Sequence, residues 1–287
     1  MKDLYTFDTD VEAAKETYNE IIDAYSKLFR DLGVPWRRVT ADCGDIGGLE
    51  SHEFHFPAAI GQDSILVCSN CETGINIESI EQNGPERCPG CGERLVLSKG
   101  IEVAHAFFLS DTYSSKLNAT YIGSNNKEYH LQMGCFGVGV SRLIGACVEV
   151  LSTENELRWP KVIAPFSVCL IGPKGGSRES SAMSQVHELY DHLNCRGGLF
   201  EDDVILDDRD KMTVGKKLRD ACKLGYTYIV LFGKNCIDKS CPEVELHRPM
   251  PTVKGENIET QVTRVPLAEI KSVLADLSFD TIKTDSC

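Results

Sequence analysis

The feature that most constrains this chain is a glycine-rich run, Gly134-Cys-Phe-Gly-Val-Gly-Val-Ser-Arg142. It reads as a strand over Leu131–Val140 that passes into a helix over Ser141–Leu151. Three glycines leave a bare surface, so a flat ring can lie directly on the backbone. The arginine follows at the start of the helix, where a guanidinium can reach a phosphate. The spacing is G-x-x-G-x-G, not G-x-G-x-x-G, which excludes a dinucleotide loop. The alternative is a tightly packed strand and helix whose arginine makes a surface ion pair.

Around this run the chain divides in two. Thr9-Asp-Val-Glu12 forms a capping box ahead of a helical periodicity, with Val11, Ala14, Tyr18, Ile21, Ile22, Tyr25, Leu28 and Phe29 as its apolar positions. Gly33 and Pro35 stop that helix. Trp36–Ala41 reads as a strand, Cys43–Phe54 as a turn-rich stretch and Gly100–Leu109 as a second strand. Trp159-Pro160 and Ala164-Pro165 mark a domain boundary. Beyond it, Phe166–Ile171, Val204–Leu206, Tyr228–Phe232 and Gln261–Pro266 read as strands. Ser177–Leu193, Thr213–Leu224 and Leu267–Leu277 read as helices. Alternation at this spacing predicts a small α/β domain with a largely parallel sheet.

The 287 residues carry a net charge of −13, the wrong sign for a chain that meets nucleic acid over its whole surface. Most of the acidic excess precedes Pro160. Arg209–Lys223 holds six basic and two acidic residues, so an RNA-facing patch is expected there. No stretch reaches 18 consecutive apolar residues. Met1–Asp8 has neither an apolar signal core nor the Arg-rich look of a transit peptide. The protein is therefore expected in the cytosol or with a targeting segment upstream.

Thirteen cysteines without a signal peptide are expected to be mostly reduced thiols. Four are spaced for metal. Cys68-x-x-Cys71 and Cys88-x-x-Cys91 are separated by 16 residues, which reads as a tetrahedral zinc site. Pro89-Gly90 and Gly92 favour the tight second turn. The alternative is two reduced pairs kept from a zinc-binding ancestor.

Met133–Arg142 resembles motif 3 of the class II aminoacyl-tRNA synthetases, in the version carried by prolyl-tRNA synthetases of the bacterial and mitochondrial kind. Three further segments resemble that family in order. Met1-Lys-Asp-Leu-Tyr-Thr-Phe-Asp8 looks like the end of motif 2. Ala41–Phe54, with its Ser-His-Glu-Phe ending, resembles a stretch near the amino-acid pocket. Gly100–Leu109 resembles a strand that serves both substrates. The resemblance implies that Arg142 is catalytic through the ATP phosphates, with Glu102 and His105 facing ATP and Gly137 and Gly139 under the adenine. It implies that His52, Phe107 and Cys135 line the proline pocket. The family has glycine where Ala104 and Ser110 stand here. Ile205–Gly225 resembles the anticodon-binding domain of class IIa synthetases, which implies tRNA contacts at Arg209, Lys216, Lys217 and Arg219. Asp207 and Asp208 can be read as a metal pair, but a turn after a strand is the simpler account.

The implied architecture is α+β: part of a class II antiparallel catalytic sheet over residues 1–160, with a four-cysteine insert at 64–99, then an α/β anticodon-binding domain over 161–287. The implied reaction joins proline to tRNA(Pro) through a prolyl-adenylate, with ATP and Mg²⁺ as substrate. Many bacterial relatives carry an editing domain between motifs 2 and 3. The spacer Glu72–Arg87 is too short for one, so no such editing is expected. Motif 1 (the family's homodimer interface), a Thr-x-Glu loop and the motif 2 arginine would all lie upstream of Met1. The polypeptide alone is therefore expected to be inactive, as a fragment of a full enzyme. No membrane association is expected. The mitochondrial matrix is the expected compartment, with the cytoplasm as alternative. The rival readings are a non-catalytic tRNA-binding or regulatory protein and a zinc-ribbon interaction module.

Overall fold

The computed structural model describes residues 1–80, 85–238, 240–250 and 260–279. The chain forms two compact units, Met1–Val150 and Leu151–Cys287. The Trp159-Pro160 and Ala164-Pro165 pairs both fall inside the second unit. There Trp159 Nε1 donates to the Leu224 carbonyl at 3.0 Å and Arg158 Nε to that of Met250 at 3.2 Å.

The first unit comprises β1 (Lys2–Asp8), α1 (Val11–Leu32), β2 (Arg37–Thr40), β3 (Glu50–Pro57), β4 (Asp63–Cys68), β5 (Thr73–Asn76), β6 (Leu95–Ser110), α2 (Ser114–Leu117), β7 (Thr120–Ile122), β8 (Glu128–His130), β9 (Gln132–Val138) and α3 (Val140–Leu151). Seven strands form one sheet in the order β1-β9-β6-β3-β2-β5-β4. Neighbours are antiparallel except β2 and β5, which are parallel. The sixteen-residue β6 pairs with β4 over Leu95–Gly100 and with β3 over Gly100–Phe108. Strands β7 and β8 form a separate hairpin.

Helix α1 covers one face of this sheet. Its N-cap is Asp10, one residue later than the Thr9 capping box predicts: the Asp10 carboxylate accepts from the Ala13 amide at 2.9 Å. A carboxylate at the cap also faces the positive end of the helix dipole. Gly33, at φ 65°, ends the helix as expected. Ala14, Tyr18, Ile22, Phe29 and Leu32 are buried beneath it, whereas Val11 and Leu28 are exposed. The residues below are chosen for fit. Phe29 sits 5.1 Å from Phe54, 5.7 Å from Phe56 and 5.9 Å from Trp36, ring centre to ring centre. Tyr18 contacts Phe108 and Phe136 at 5.9 and 5.7 Å.

The second unit comprises β10 (Val168–Ile171), α4 (Met183–Leu193), β11 (Val204–Asp207), α5 (Val214–Leu224), β12 (Tyr228–Leu231), β13 (Glu243–Arg248), β14 (Gln261–Pro266) and α6 (Ile270–Phe279). A 3₁₀ turn over Arg178–Ala182 replaces the start of the helix expected from Ser177. The sheet order is β11-β10-β12-β13-β14. Only β11, β10 and β12 are parallel; β13 and β14 extend the sheet antiparallel, so it is mixed rather than largely parallel. Every residue of β10 is buried, because both faces are covered. Val168 and Leu170 pack with residues of α4 and α6, while Cys169 and Ile171 pack with Ala221 and Cys222 of α5. No helix among the described residues is long and apolar enough to cross a membrane.

Phe29 is fully buried at the centre of the aromatic cluster. Phe29→Ala is expected to destabilise the first unit by about 3–5 kcal/mol, read as a lower urea midpoint of its unfolding transition.

Candidate active site

Residues directly opposite across antiparallel strands share a face of the sheet. Cys135 of β9 lies opposite Phe107 of β6, which lies opposite Ser51 of β3. Gly137 lies opposite His105, which lies opposite Glu53. These six residues therefore occupy the face away from α1. Glu102 joins them because Val103 is an extra residue in β6 at the Phe54/His55 step, which turns Glu102 over.

The face carries a dense polar network. His105 is held at both ring nitrogens, with Ser51 Oγ 2.6 Å from Nε2 and Glu102 Oε1 3.0 Å from Nδ1. Its ring stacks on Phe107 at 3.9 Å and 22°. Arg142, the third residue of α3, donates from Nη1 to the Glu102 carbonyl at 3.1 Å and lies 3.5 Å from Glu102 Oε2. Its side chain remains 59% exposed, so it can exchange this partner for another anion. Glu53 accepts from Asn76 Nδ2 at 3.0 Å and pairs with His55 Nε2 at 2.8 Å, both at Oε2. Burial raises the Glu53 pKa, but the hydrogen bonds from His55 and Asn76 outweigh it and the net shift is downward. Phe107, Leu109 and Met133 form an apolar patch with Cys135 and Tyr113 at its margin. Burial raises the Cys135 pKa, so its thiol stays protonated.

His52 does not belong to this face. It pairs with Ala106, and its Nδ1 lies 2.9 Å from the Tyr18 hydroxyl of α1. This corrects the placement of His52 beside Phe107 and Cys135: in a strand, alternate residues point to opposite faces, so Ser51 and Glu53 take the place expected for it. Burial and the nearby Arg38 charge both lower the His52 pKa, which fits a neutral, structural ring.

The glycines divide their work. A Cβ at Gly134 would come within 2.7 Å of the Phe136 ring and of Thr6 Oγ1, so this glycine serves packing. A Cβ at Gly137 would meet the Met1 side-chain methyl at 2.7 Å and Asp3 Oδ1 at 3.5 Å, both side-chain atoms. Gly139 donates to the Val103 carbonyl at 2.9 Å and starts α3. Ala104 pairs with Phe54 and so points toward α1, leaving the polar face untouched. Ser110 adopts φ 54°, a conformation that favours glycine, and its hydroxyl donates to Gln132 Oε1 at 2.8 Å.

The four knuckle cysteines converge. One sulfur from each of Cys68, Cys71, Cys88 and Cys91 lies within 4.8 Å of the other three. The Cys68–Cys91 and Cys71–Cys88 sulfur distances are 3.4 and 3.6 Å. A tetrahedral zinc with bonds of ~2.3 Å would set sulfurs ~3.8 Å apart, so the cage needs little adjustment. Amides of Asn70 and Cys71 donate to Cys68 Sγ at 3.3 and 3.4 Å, which favours thiolate. Hydrogen bonds from Thr73 help hold the Cys71 pKa down to about 6. Residues 81–84 of the spacer between the knuckles lie outside the described residues.

In the second unit, the basic residues expected to face RNA differ sharply. Lys217 is 1% exposed and donates to the carbonyls of Gly172 and Asp207 at 3.2 and 3.0 Å. It is a core residue, which corrects its placement among surface contacts. Arg209 is clamped by Asp207 and Asp220, and Lys216 also pairs with Asp220. Both Asp207 carboxylate oxygens accept from Arg209, at 2.9 and 2.6 Å, and these hydrogen bonds overcome burial to keep the Asp207 pKa low. Arg219 is exposed. A groove of about 490 Å³ is lined by Ile205, Asp207, Arg209, Asp220 and Tyr226 among others.

The family described as tRNA synthetase class II core domain (G, H, P, S and T) matches residues 1–151. The "Probable proline--tRNA ligase, mitochondrial" of Mus musculus is 44% identical over 238 residues, covering 83% of this chain and 50% of the relative. The protein of the same description from Homo sapiens has the same identity and coverage. The "Proline--tRNA ligase" of Ehrlichia chaffeensis is 35% identical over 259 residues, covering 85% of this chain and 58% of the relative. The chain thus spans about half the length of the curated relatives it matches. Among solved structures, prolyl-tRNA synthetase from Cryptosporidium parvum complexed with L-proline and AMP aligns at TM-score 0.70 and 17% identity, covering 97% of this chain and 50% of that one. Giardia lamblia prolyl-tRNA synthetase in complex with prolyl-adenylate aligns at 0.67 and 17%, covering 94% and 45%. At that identity the two structures show the fold alone.

The lowered Glu53 pKa makes a pH prediction. A carboxylate depressed below its ordinary value near 4.5 stabilises the fold fully above that value and loses its contribution as pH falls through the folded pKa. Glu53→Gln should therefore be less stable than the parent at neutral pH, and the gap should narrow as pH falls below the ordinary carboxylate range. Urea titrations of both proteins across that range test this.

Proposed function

The chain belongs to the class II tRNA synthetase core family (G, H, P, S and T), and from that premise we propose that it takes part in the ATP-dependent joining of proline to tRNA(Pro). The observation that carries this reading is the single sheet face on which Arg142, Glu102 and His105 adjoin Phe107 and Cys135. A cation at a helix start, a fixed imidazole and an apolar patch match the three parts of an aminoacyl-adenylate: phosphate, polar linkage and side chain.

In the proposed reaction the proline carboxylate attacks the α-phosphorus of ATP. An O–P bond forms to the carboxylate oxygen and the bond to the pyrophosphate oxygen breaks, giving prolyl-adenylate and pyrophosphate. A hydroxyl of the terminal adenosine of the tRNA then takes the prolyl group, releasing AMP. Neither step needs a protein nucleophile. Positioning and charge neutralisation do the work. Arg142 holds phosphate oxygens, aided by the amides at the start of α3. Mg²⁺ arrives with ATP. His105 and Glu102 orient the nucleotide, Gly137 and Gly139 let the adenine approach the backbone, and Phe107 with Cys135 receives the proline ring.

The second unit supplies the RNA contacts in this reading, through Arg209, which lines the 490 Å³ groove, and through the exposed Lys216 and Arg219 of α5. Lys217 acts there only by holding the strand end in place. The mitochondrial relatives support a mitochondrial location, and bacterial relatives keep the cytoplasm as the alternative. The cysteine cage holds a structural Zn²⁺ in this reading, because four converging sulfurs with amide donors suit thiolate ligation.

Calorimetric titration of the chain with Mg²⁺–ATP should show binding that Arg142→Ala weakens at least tenfold or so, as loss of a charge-assisted hydrogen bond predicts. His52→Ala should change affinity far less than Arg142→Ala. No nucleotide binding, with tRNA still bound, would favour a non-catalytic tRNA-binding protein instead. For the cage, elemental analysis should find about one zinc per chain, lost in Cys71→Ser, and chelation should lower the first unit's melting temperature. A metal-free chain with unchanged stability would refute the zinc assignment.

A further inference from the structure

Glu53 is absent from the proposed chemistry, yet it joins two parts of the first unit. We propose that Asn76 and Glu53 are positioning residues through which the cysteine module fixes His105 in the nucleotide site. The inference rests on the reading of the His105 face as that site.

Three strands leave the module. β4 ends at Cys68, β5 begins two residues after Cys71, and β6 begins four residues after Cys91. β6 carries Glu102, His105 and Phe107 directly. β5 acts at one remove. It is four residues long and held on both sides, parallel to β2 and antiparallel to β4. Its last residue, Asn76, is buried and donates from Nδ2 to Glu53 Oε2 at 3.0 Å. Asn76 Oδ1 accepts from the Glu78 amide at 3.1 Å, so the side-chain amide is fixed at both ends.

That bond aims the carboxylate. Glu53 Oε2 is taken by Asn76 and His55, which leaves Oε1 toward His105, 3.9 Å from Nδ1. The same nitrogen lies 3.0 Å from Glu102 Oε1, and Glu102 in turn receives Arg142. These side chains thus stand in series from the knuckle strand to the cation that would meet phosphate, hydrogen-bonded at each step except between Glu53 Oε1 and His105 Nδ1, which are neighbours at 3.9 Å. From Cys71 to Asn76 is five residues of extended chain, at most ~17 Å. A short strand paired on both edges moves as one piece, so splaying the sulfur cage shifts Asn76 away from Glu53. The carboxylate then loses one of its two fixed donors, and Oε1 leaves its place beside His105. Partners one step behind a functional group commonly alter its action in this way.

The test uses the full chain with Asn76→Asp, Cys71→Ser and the double variant, followed by amide hydrogen exchange. Each single change should speed exchange across Ser51–Phe56 about tenfold, and the double should be no faster than the quicker single. Amides of β10 and β12 should keep parental rates. Parental exchange over Ser51–Phe56 in Asn76→Asp, or effects that multiply in the double, would overturn the proposal. Should Cys71→Ser unravel the unit, seen as lost protection along β1 and β9, Asn76→Asp alone decides. Its Ser51–Phe56 amides must exchange faster while β1 and β9 keep parental rates. Mg²⁺–ATP titration of Asn76→Asp should also show about tenfold weaker binding, recovering toward parental affinity as acid protonates the new carboxyl and restores a donor to Glu53. A parental chain that binds no nucleotide removes the site reading, while the exchange result still decides whether the cysteine module holds Glu53.

Discussion

The two-residue alternation of β6 governs the first unit, and a single extra residue tunes it. Ala104, Ala106 and Phe108 point to α1, while His105 and Phe107 point away. The two alanines leave room for the Tyr18 and Phe54 rings, and Tyr18 reaches back to the Ala106 carbonyl at 3.4 Å. A one-residue slip would send His105 into that aromatic layer and expose Phe108, which is 1% exposed. Strict alternation alone would also send Glu102 toward the helix. The bulge at Val103 reverses it, and the freed Val103 carbonyl accepts the Gly139 amide that begins α3. One irregularity therefore places Glu102 and aims Arg142 together.

Much of this was legible in the residues. Helix α1 announced itself by periodicity, and the cage by the two C-x-x-C pairs. The glycine run read correctly as a strand feeding a helix that carries Arg142. What escaped was the pairing of Ser51 and Glu53 with β6. The stretch Cys43–Phe54 is dense in glycine and acid, and turn signals hid the strand that starts at Glu50. Read as a strand, Ser51-His52-Glu53-Phe54 alternates so that Ser51 and Glu53 part from His52. Asn76 carried no local signal at all. Its importance comes from a partner 23 residues away in sequence. The antiparallel end of the second sheet was missed because β13, rich in charge and histidine, lacks the apolar run of a central strand.

The second unit shows why a count of basic residues overstates an RNA surface. Helix α5 is amphipathic, and Lys217 falls on its buried side with Ala221. Burying an ammonium requires compensation, and Lys217 receives it from two carbonyls and from Asp207 at 4.0 Å. Asp207 also binds Arg209, so one carboxylate anchors a buried and an exposed cation at the end of β11. The basic stretch is thus partly scaffold. Its exposed members stand where a loop meets a helix, and the scaffold fixes their origin.

Under the proposed function, a net-negative unit can still present an anion site if the cation there is lightly held. Arg142 is mostly exposed, and its contact with the Glu102 carboxylate, at 3.5 Å, is at the limit for a hydrogen bond. Exposed pairs of this kind contribute about 1 kcal/mol or less. A phosphate bringing two or three oxygens competes easily with that contact. Nor does the exchange strand Glu102, because His105 already serves its other oxygen. In the proposed reaction, the glutamate that pairs with Arg142 in the free chain is therefore also the group that holds His105 once nucleotide is bound.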